Sequence, residues 1–188
     1  MFQLLYDPVS EIKKAKKESY ARILMYLIAA SFFETTGLFF LIWRYFSDRL
    51  TTNLLVNGII GTLFSLIELQ LIVAFFFSMI MHVLDGKGGY YEGLASLVLS
   101  MVAPAMMTFF AGALVFLPYG AVFASLLFMY GYAVGASTLF RAGKEFFELD
   151  YAGVLAGVLI LVFSLAAALC GLIMLYEFHF AAIIRSLF

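Results

Sequence analysis

The sequence predicts an all-α, polytopic membrane protein built as a five-helix transmembrane bundle. Three observations carry that prediction. Hydrophobic residues fill 65% of the 188 positions and charged residues only 12%, with a mean hydropathy of +1.06. A soluble domain carries about twice that charge and could not shield so much apolar surface. The apolar residues gather into five runs, Ile23–Phe46, Leu54–Leu84, Gly93–Leu117, Tyr119–Phe140 and Tyr151–Tyr176. Each reaches the roughly 20 residues needed to cross about 30 Å of hydrocarbon. None alternates with period 2, which excludes a transmembrane β-barrel.

The runs leave a basic interfacial arm, residues 1–22, ahead of a five-span domain over 23–188. The first run starts too late and is too long for the apolar part of a signal peptide, so it reads as a span. Within the arm, Asp7-Pro8 resembles a helix cap followed by proline at the first helical position. Val9, Ile12, Ser19 and Ile23 give a weak apolar stripe, and Lys13, Lys14, Lys16 and Lys17 project elsewhere. Such a helix is expected to lie on the cytoplasmic membrane face with its lysines toward anionic headgroups, the alternative being that the lysines only fix topology.

The second run, at 31 residues, is about 46 Å long and must tilt or extend past the membrane edge. Pro104 interrupts the third run, where its missing donor predicts a kink. Gly131-x-x-x-Gly135 in the fourth run and Gly153-x-x-x-Gly157 in the fifth allow backbones to approach closely, within the bundle or between copies. Packing within one chain is the expected use. A lone cysteine, Cys170, makes no intrachain disulfide and reads as a small packing residue.

Lys and Arg set the expected orientation. Lys13, Lys14, Lys16, Lys17, Arg22, Lys87, Arg141 and Lys144 fall on one side, and Arg44, Arg49 and Arg185 on the other. Eight against three puts the N-terminus in the cytoplasm and the C-terminus outside. The arm, the His82–Tyr91 turn and the Arg141–Asp150 loop then share one cytoplasmic face, on which a protein partner or a second copy is expected to dock. Nucleic acid is excluded, since four lysines beside a span make no reading surface.

Two carboxyls lie inside spans. Glu34 precedes Phe46 by 12 residues, roughly 18 Å, and Glu68 follows Leu54 by 14, roughly 21 Å. Antiparallel packing would bring both to one level near the midplane, where they could share a proton. Intramembrane ionisable groups mark ion or proton pathways. The alternative is helix glue, with the carboxyls bonding polar residues such as Ser31, Thr35, Ser65, Gln70, Ser100, Thr108, Ser125 or Tyr130. The scarcity of polar residues in spans three to five favours glue over a transport cavity.

The segment His82-Val83-Leu84-Asp85-Gly86-Lys87-Gly88-Gly89-Tyr90-Tyr91 fits neither a P-loop nor a dinucleotide fingerprint. His82 and Asp85 share a helix face, but two ligands make no metal site, and no metal or cofactor is expected. His82 and Asp85 are expected to finish the second helix, with Gly88 and Gly89 permitting the turn back.

A histidine at the end of a span, a Gly-Gly turn, an aromatic, and then a span containing Pro104 resemble the Yip1 family. The Leu4-Leu5-Tyr6-Asp7-Pro8 pattern with its basic helix, and Tyr130-Gly131-Tyr132, are similar to the prokaryotic branch. The resemblance implies a non-enzymatic membrane-organising or partner-recruiting protein of a prokaryotic cell membrane. Eukaryotic members act in vesicle budding with Rab GTPases through a long cytosolic region that this sequence lacks. The alternative reading is a small transporter, channel or proton-coupled carrier using Glu34 and Glu68.

Overall fold

The computed structural model describes residues 8–47 and 52–187, and the side-chain surroundings of 10–47, 53 and 55–171. Residues 4–7 and Arg49, which carried part of the sequence reading, lie outside the described residues, and the side chains of Val9, Tyr176, His179 and Arg185 outside the described side chains.

The described chain is all helical: α1 (Pro8–Ala15), α2 (Tyr20–Phe46), α3 (Thr52–Val83), α4 (Tyr90–Leu114), α5 (Gly120–Phe147) and α6 (Tyr151–Leu187). The last five are each long and apolar enough to cross a bilayer. Their outward faces carry large apolar side chains, among them Phe32, Phe64, Phe75, Leu126 and Phe163. A protein whose solvent is lipid is expected to look this way.

Short connections make successive long helices antiparallel, so α2, α4 and α6 begin at the end where α3 and α5 finish. That end also holds α1 and is called the arm end below. Helix α5 continues through Phe147, past the expected limit at Phe140. Hydropathy drops at Arg141, but Ala142, Gly143, Phe146 and Phe147 keep a buried stripe going on one face. The expected ten-residue loop therefore shrinks to 148–150.

Helix α4 is the centre of the bundle. Of its most apolar stretch 72% is buried, against 39% or less in the other four helices, and it packs most extensively against α5 and α2. Lipid offers apolar side chains no reason to leave it, so helices associate through close backbone approach and polar contacts. Both neighbours of α4 are brought close by glycines. On α2, a Cβ at Gly37 would fall on the Thr108 carbonyl, and Gly112 of α4 faces the Gly37 carbonyl in the same way. On α5, a Cβ at Gly135 would lie 2.6 Å from the Ser100 oxygen and 2.7 Å from Pro104 Cγ, and one at Gly131 2.7 Å from Met107 Cβ.

Pro104 sits inside α4, which runs through it as one helix. The proline lacks the N–H that the Ser100 carbonyl would otherwise accept, and Gly135 is the residue that comes up against that oxygen. Gly131-x-x-x-Gly135 is thus an intrachain packing motif. Gly153-x-x-x-Gly157 is only half of one: Gly157 meets Met81 of α3 and Leu84 just past its end, whereas Gly153 faces Asp150 and Leu149 just ahead of its own helix.

Among the described side chains, α6 is buried against the bundle only near its start. Val154, Gly157 and Leu161 are buried, and every residue from 162 to 171 is exposed, Cys170 included.

Replacing Gly135 by Leu is expected to destabilise the bundle by about 1–3 kcal/mol through overpacking. Gly61→Leu, where nothing lies within 4 Å of the new Cβ, should leave the melting temperature in detergent unchanged. Equal melting temperatures for the two variants would show that the α4–α5 contact is not tight.

Candidate functional site: an interlocked basic end of the bundle

Three segments far apart in sequence meet at the arm end. The first is α1, which Pro8 opens. Its Ile12 and Ala15, each 1% exposed, join a core containing Ile23, Leu27, Phe77, Met81, Phe146, Phe147 and Val154. The arm expected to float on the surface is docked into the bundle. Tyr91 of α4 fixes its exit: the hydroxyl lies 2.8 Å from the Ala15 carbonyl and 2.9 Å from that of Glu18, as donor. Lys16 reaches across to α5, donating from Nζ to the Glu145 carbonyl at 3.2 Å. Glu11 pairs with Lys14 at 2.7 Å and Glu18 with Arg22 at 3.1 Å. All four arm lysines remain exposed.

The second segment is the turn after α3. The Asp85 N–H donates to the His82 carbonyl and the Gly86 N–H to the Met81 carbonyl, at 3.1 and 2.9 Å. This pair of bonds is a Schellman motif. Its left-handed residue is Asp85, with φ 65°, and no glycine here has a positive φ. The expectation that glycines supply the reversal is therefore corrected: aspartate, which tolerates the left-handed region, supplies it. The glycines are needed for space. A Cβ at Gly88 would lie 2.7 Å from the Phe147 ring, and one at Gly86 3.1 Å from Phe147 Cβ. Gly89 caps α4, its N–H donating to Glu92 Oε2 at 2.8 Å.

The third segment is the α5–α6 turn. Glu148 takes the left-handed conformation, φ 56°, and Asp150 accepts the Gly153 N–H at 2.7 Å, capping α6. Turn and turn are joined: the Lys87 N–H donates to the Phe147 carbonyl at 3.0 Å, and Lys87 Nζ pairs with Glu148 at 3.0 Å. That hydrogen bond and charge hold the Glu148 carboxyl below the usual carboxylate range. The Phe147 ring stands edge-on to Phe77, centroids 5.8 Å apart. Phe147 and Glu148 were not singled out by the sequence reading, which used Lys87 for orientation and Tyr91 as the end of the turn, although the glycines at 86 and 88 mark where a bulky neighbour sits.

The two intramembrane carboxyls differ in environment. Glu34 is 7% exposed, on the face of α2 that includes Leu27, Ser31, Thr35 and Gly37. Its Oε2 has no hydrogen-bond partner among the described residues, nor do the buried hydroxyls of Ser31, Thr35 and Thr108. Tyr132 of α5 lies within electrostatic reach of Glu34. Glu68 is exposed on the outside of α3. The buried stripe of that helix is Gln70, Ala74, Phe77, Ser78 and Met81, and at about 100° per residue position 68 faces away from it. The shared-proton arrangement expected from equal depth is corrected on this ground. Nor do the suggested polar residues bind either carboxyl: Ser100 and Ser125 donate to Leu97 and Ala121 carbonyls of their own helices. Among the described residues no three His, Cys, Asp or Glu side chains group as a metal site would.

Tyr91→Phe is expected to loosen the arm while costing the bundle only about 1 kcal/mol. Tryptic cleavage at Lys13 to Lys17 should accelerate severalfold with little change in melting temperature. An arm as protected as the native one would show that the hydroxyl does not hold it. No family model, curated protein or solved structure matches this chain.

Proposed function

We propose that the chain is a non-enzymatic, multi-pass protein of a prokaryotic cell membrane, of Yip1-like type, that organises membrane or recruits a cytoplasmic partner through its arm end. The observation that carries this reading is the interlocking of α1, the 84–89 turn and the 148–150 turn into one surface. It bears Lys13, Lys14, Lys16, Lys17, Lys87, Arg141 and Lys144, which is also the excess of positive charge that favours a cytoplasmic position. Glycine spacing, capping and a half-buried tyrosine bond all go into holding these segments together, more than a connecting loop requires. The partner is an acidic protein surface, a second copy of the chain, or anionic lipid. Replacing Lys13, Lys14, Lys16 and Lys17 by Gln should weaken capture of anionic vesicles by reconstituted protein, most strongly at low salt. Undiminished capture at low salt would sink this reading.

The second reading is a proton-coupled carrier, favoured by one observation: a buried Glu34 carboxyl among unpartnered hydroxyls. It predicts that Glu34→Gln abolishes pH-driven flux in proteoliposomes, whereas Glu68→Gln leaves it intact. No flux in the native chain would remove the carrier reading.

A further inference from the structure

Between α1, the last turns of α5 and the first turn of α6 lies a cavity of about 210 Å³ lined by Ile12, Arg141, Lys144, Glu145 and Tyr151. Lys144 Nζ stands 4.4 Å from the centre of the Tyr151 ring, and the Lys16 bond to the Glu145 carbonyl closes the α1 side. Charge at this end is unevenly spent. Glu11, Glu18 and Glu148 are paired with Lys14, Arg22 and Lys87, and Glu92 and Asp150 accept backbone N–H groups. Arg141 and Lys144 form no ion pair among the described residues, though both line the cavity, and among the lining residues Glu145 is the one carboxylate. Below the cavity, Tyr151, Leu155 and Leu159 follow one another at four-residue spacing on α6, all exposed. They form an apolar track on one face, running from the cavity along the span.

We propose that this cavity binds the phosphate of an anionic phospholipid, with Arg141 and Lys144 on the phosphate and an acyl chain along Tyr151, Leu155 and Leu159. The guanidinium offers a planar fork that matches two phosphate oxygens, and the ammonium adds a point charge. Tyrosine suits this depth because its ring is apolar and its hydroxyl polar. The apolar track distinguishes a lipid from a free phosphate ion, which has no use for it. The site deepens the reading above and rests on the arm end lying at a membrane surface, whichever side that is.

The test is native mass spectrometry of the full chain in mild detergent, titrated with phosphatidylglycerol, with phosphatidylcholine and, separately, with inorganic phosphate. The native chain should retain one phosphatidylglycerol and hold phosphatidylcholine more weakly. Arg141→Gln/Lys144→Gln should lose at least about tenfold in retention, since each removed bond to a charged group is worth about that much. Arg44→Gln, which removes an exposed cation at the opposite end of the bundle, should retain the lipid as the native chain does. If the double variant does not stay folded, Arg141→Lys, which keeps the charge and loses the fork, should still weaken retention. Equal retention in native and cavity variants overturns the site, as does equal binding of the two lipids. Displacement of phosphatidylglycerol by inorganic phosphate at matched concentration overturns the lipid in favour of a free anion. Because lipid is read here in detergent, without vesicles or partner, failed vesicle capture would not register as failure of this site.

Discussion

Everything in the bundle depends on how closely backbones approach along α4. In lipid, burying a leucine gains little, because the solvent it leaves is as apolar as the neighbour it meets. What remains is contact, and contact improves when side chains are out of the way. Gly37 against Thr108 and Gly112, and Gly135 against Ser100 and Pro104, set α2 and α5 onto the two sides of α4. Once those helices are seated, the beginnings of α2 and α4 and the end of α5 converge, and the arm end takes shape from that convergence. Helix α6 has no such contact with α4 and is correspondingly the most exposed of the spans.

The same solvent explains how the hydroxyls are used. Ser78, Ser100, Ser125, Thr36 and Thr138 all donate to carbonyls three or four residues earlier in their own helix. A hydroxyl that can satisfy itself locally need not bridge helices. Ser31, Thr35 and Thr108 do not do this, and they lie on the two helices that meet around Glu34 and Gly37. Gln70 and Ser96 are likewise buried without a partner, whereas the Tyr90 and Tyr91 hydroxyls donate to carbonyls outside their own helix.

Helix number and type were legible because bilayer thickness dictates run length and composition dictates the solvent. Direction around a helix was harder. Depth alone put Glu34 and Glu68 together, yet the stripe Gln70, Ala74, Ser78 was present in the sequence and points Glu68 the other way. Hydropathy ended α5 at Phe140, because an amphipathic last segment with Arg141 and Lys144 on its open side looks polar on average. The glycines after α3 were recognised as special for the wrong physical reason. Their lack of a side chain serves the Phe147 ring, and that relation joins residues some sixty positions apart, beyond the reach of local patterns. The docking of Ile12 was hidden similarly, since four lysines around it dominate any average over the arm.

The docked arm also imposes an order on assembly. Lys16 and the carbonyl it reaches are separated by 129 residues, and the core that covers Ile12 and Ala15 includes Phe146, Phe147 and Val154. Synthesis runs from the N-terminus, so α1 is made before α5 and its seat is incomplete until α5 and the start of α6 have been made and inserted. Until then its apolar residues Ile12 and Ala15 lack part of the core that covers them. The docked arm thus requires that residues from both ends of the described chain have come together.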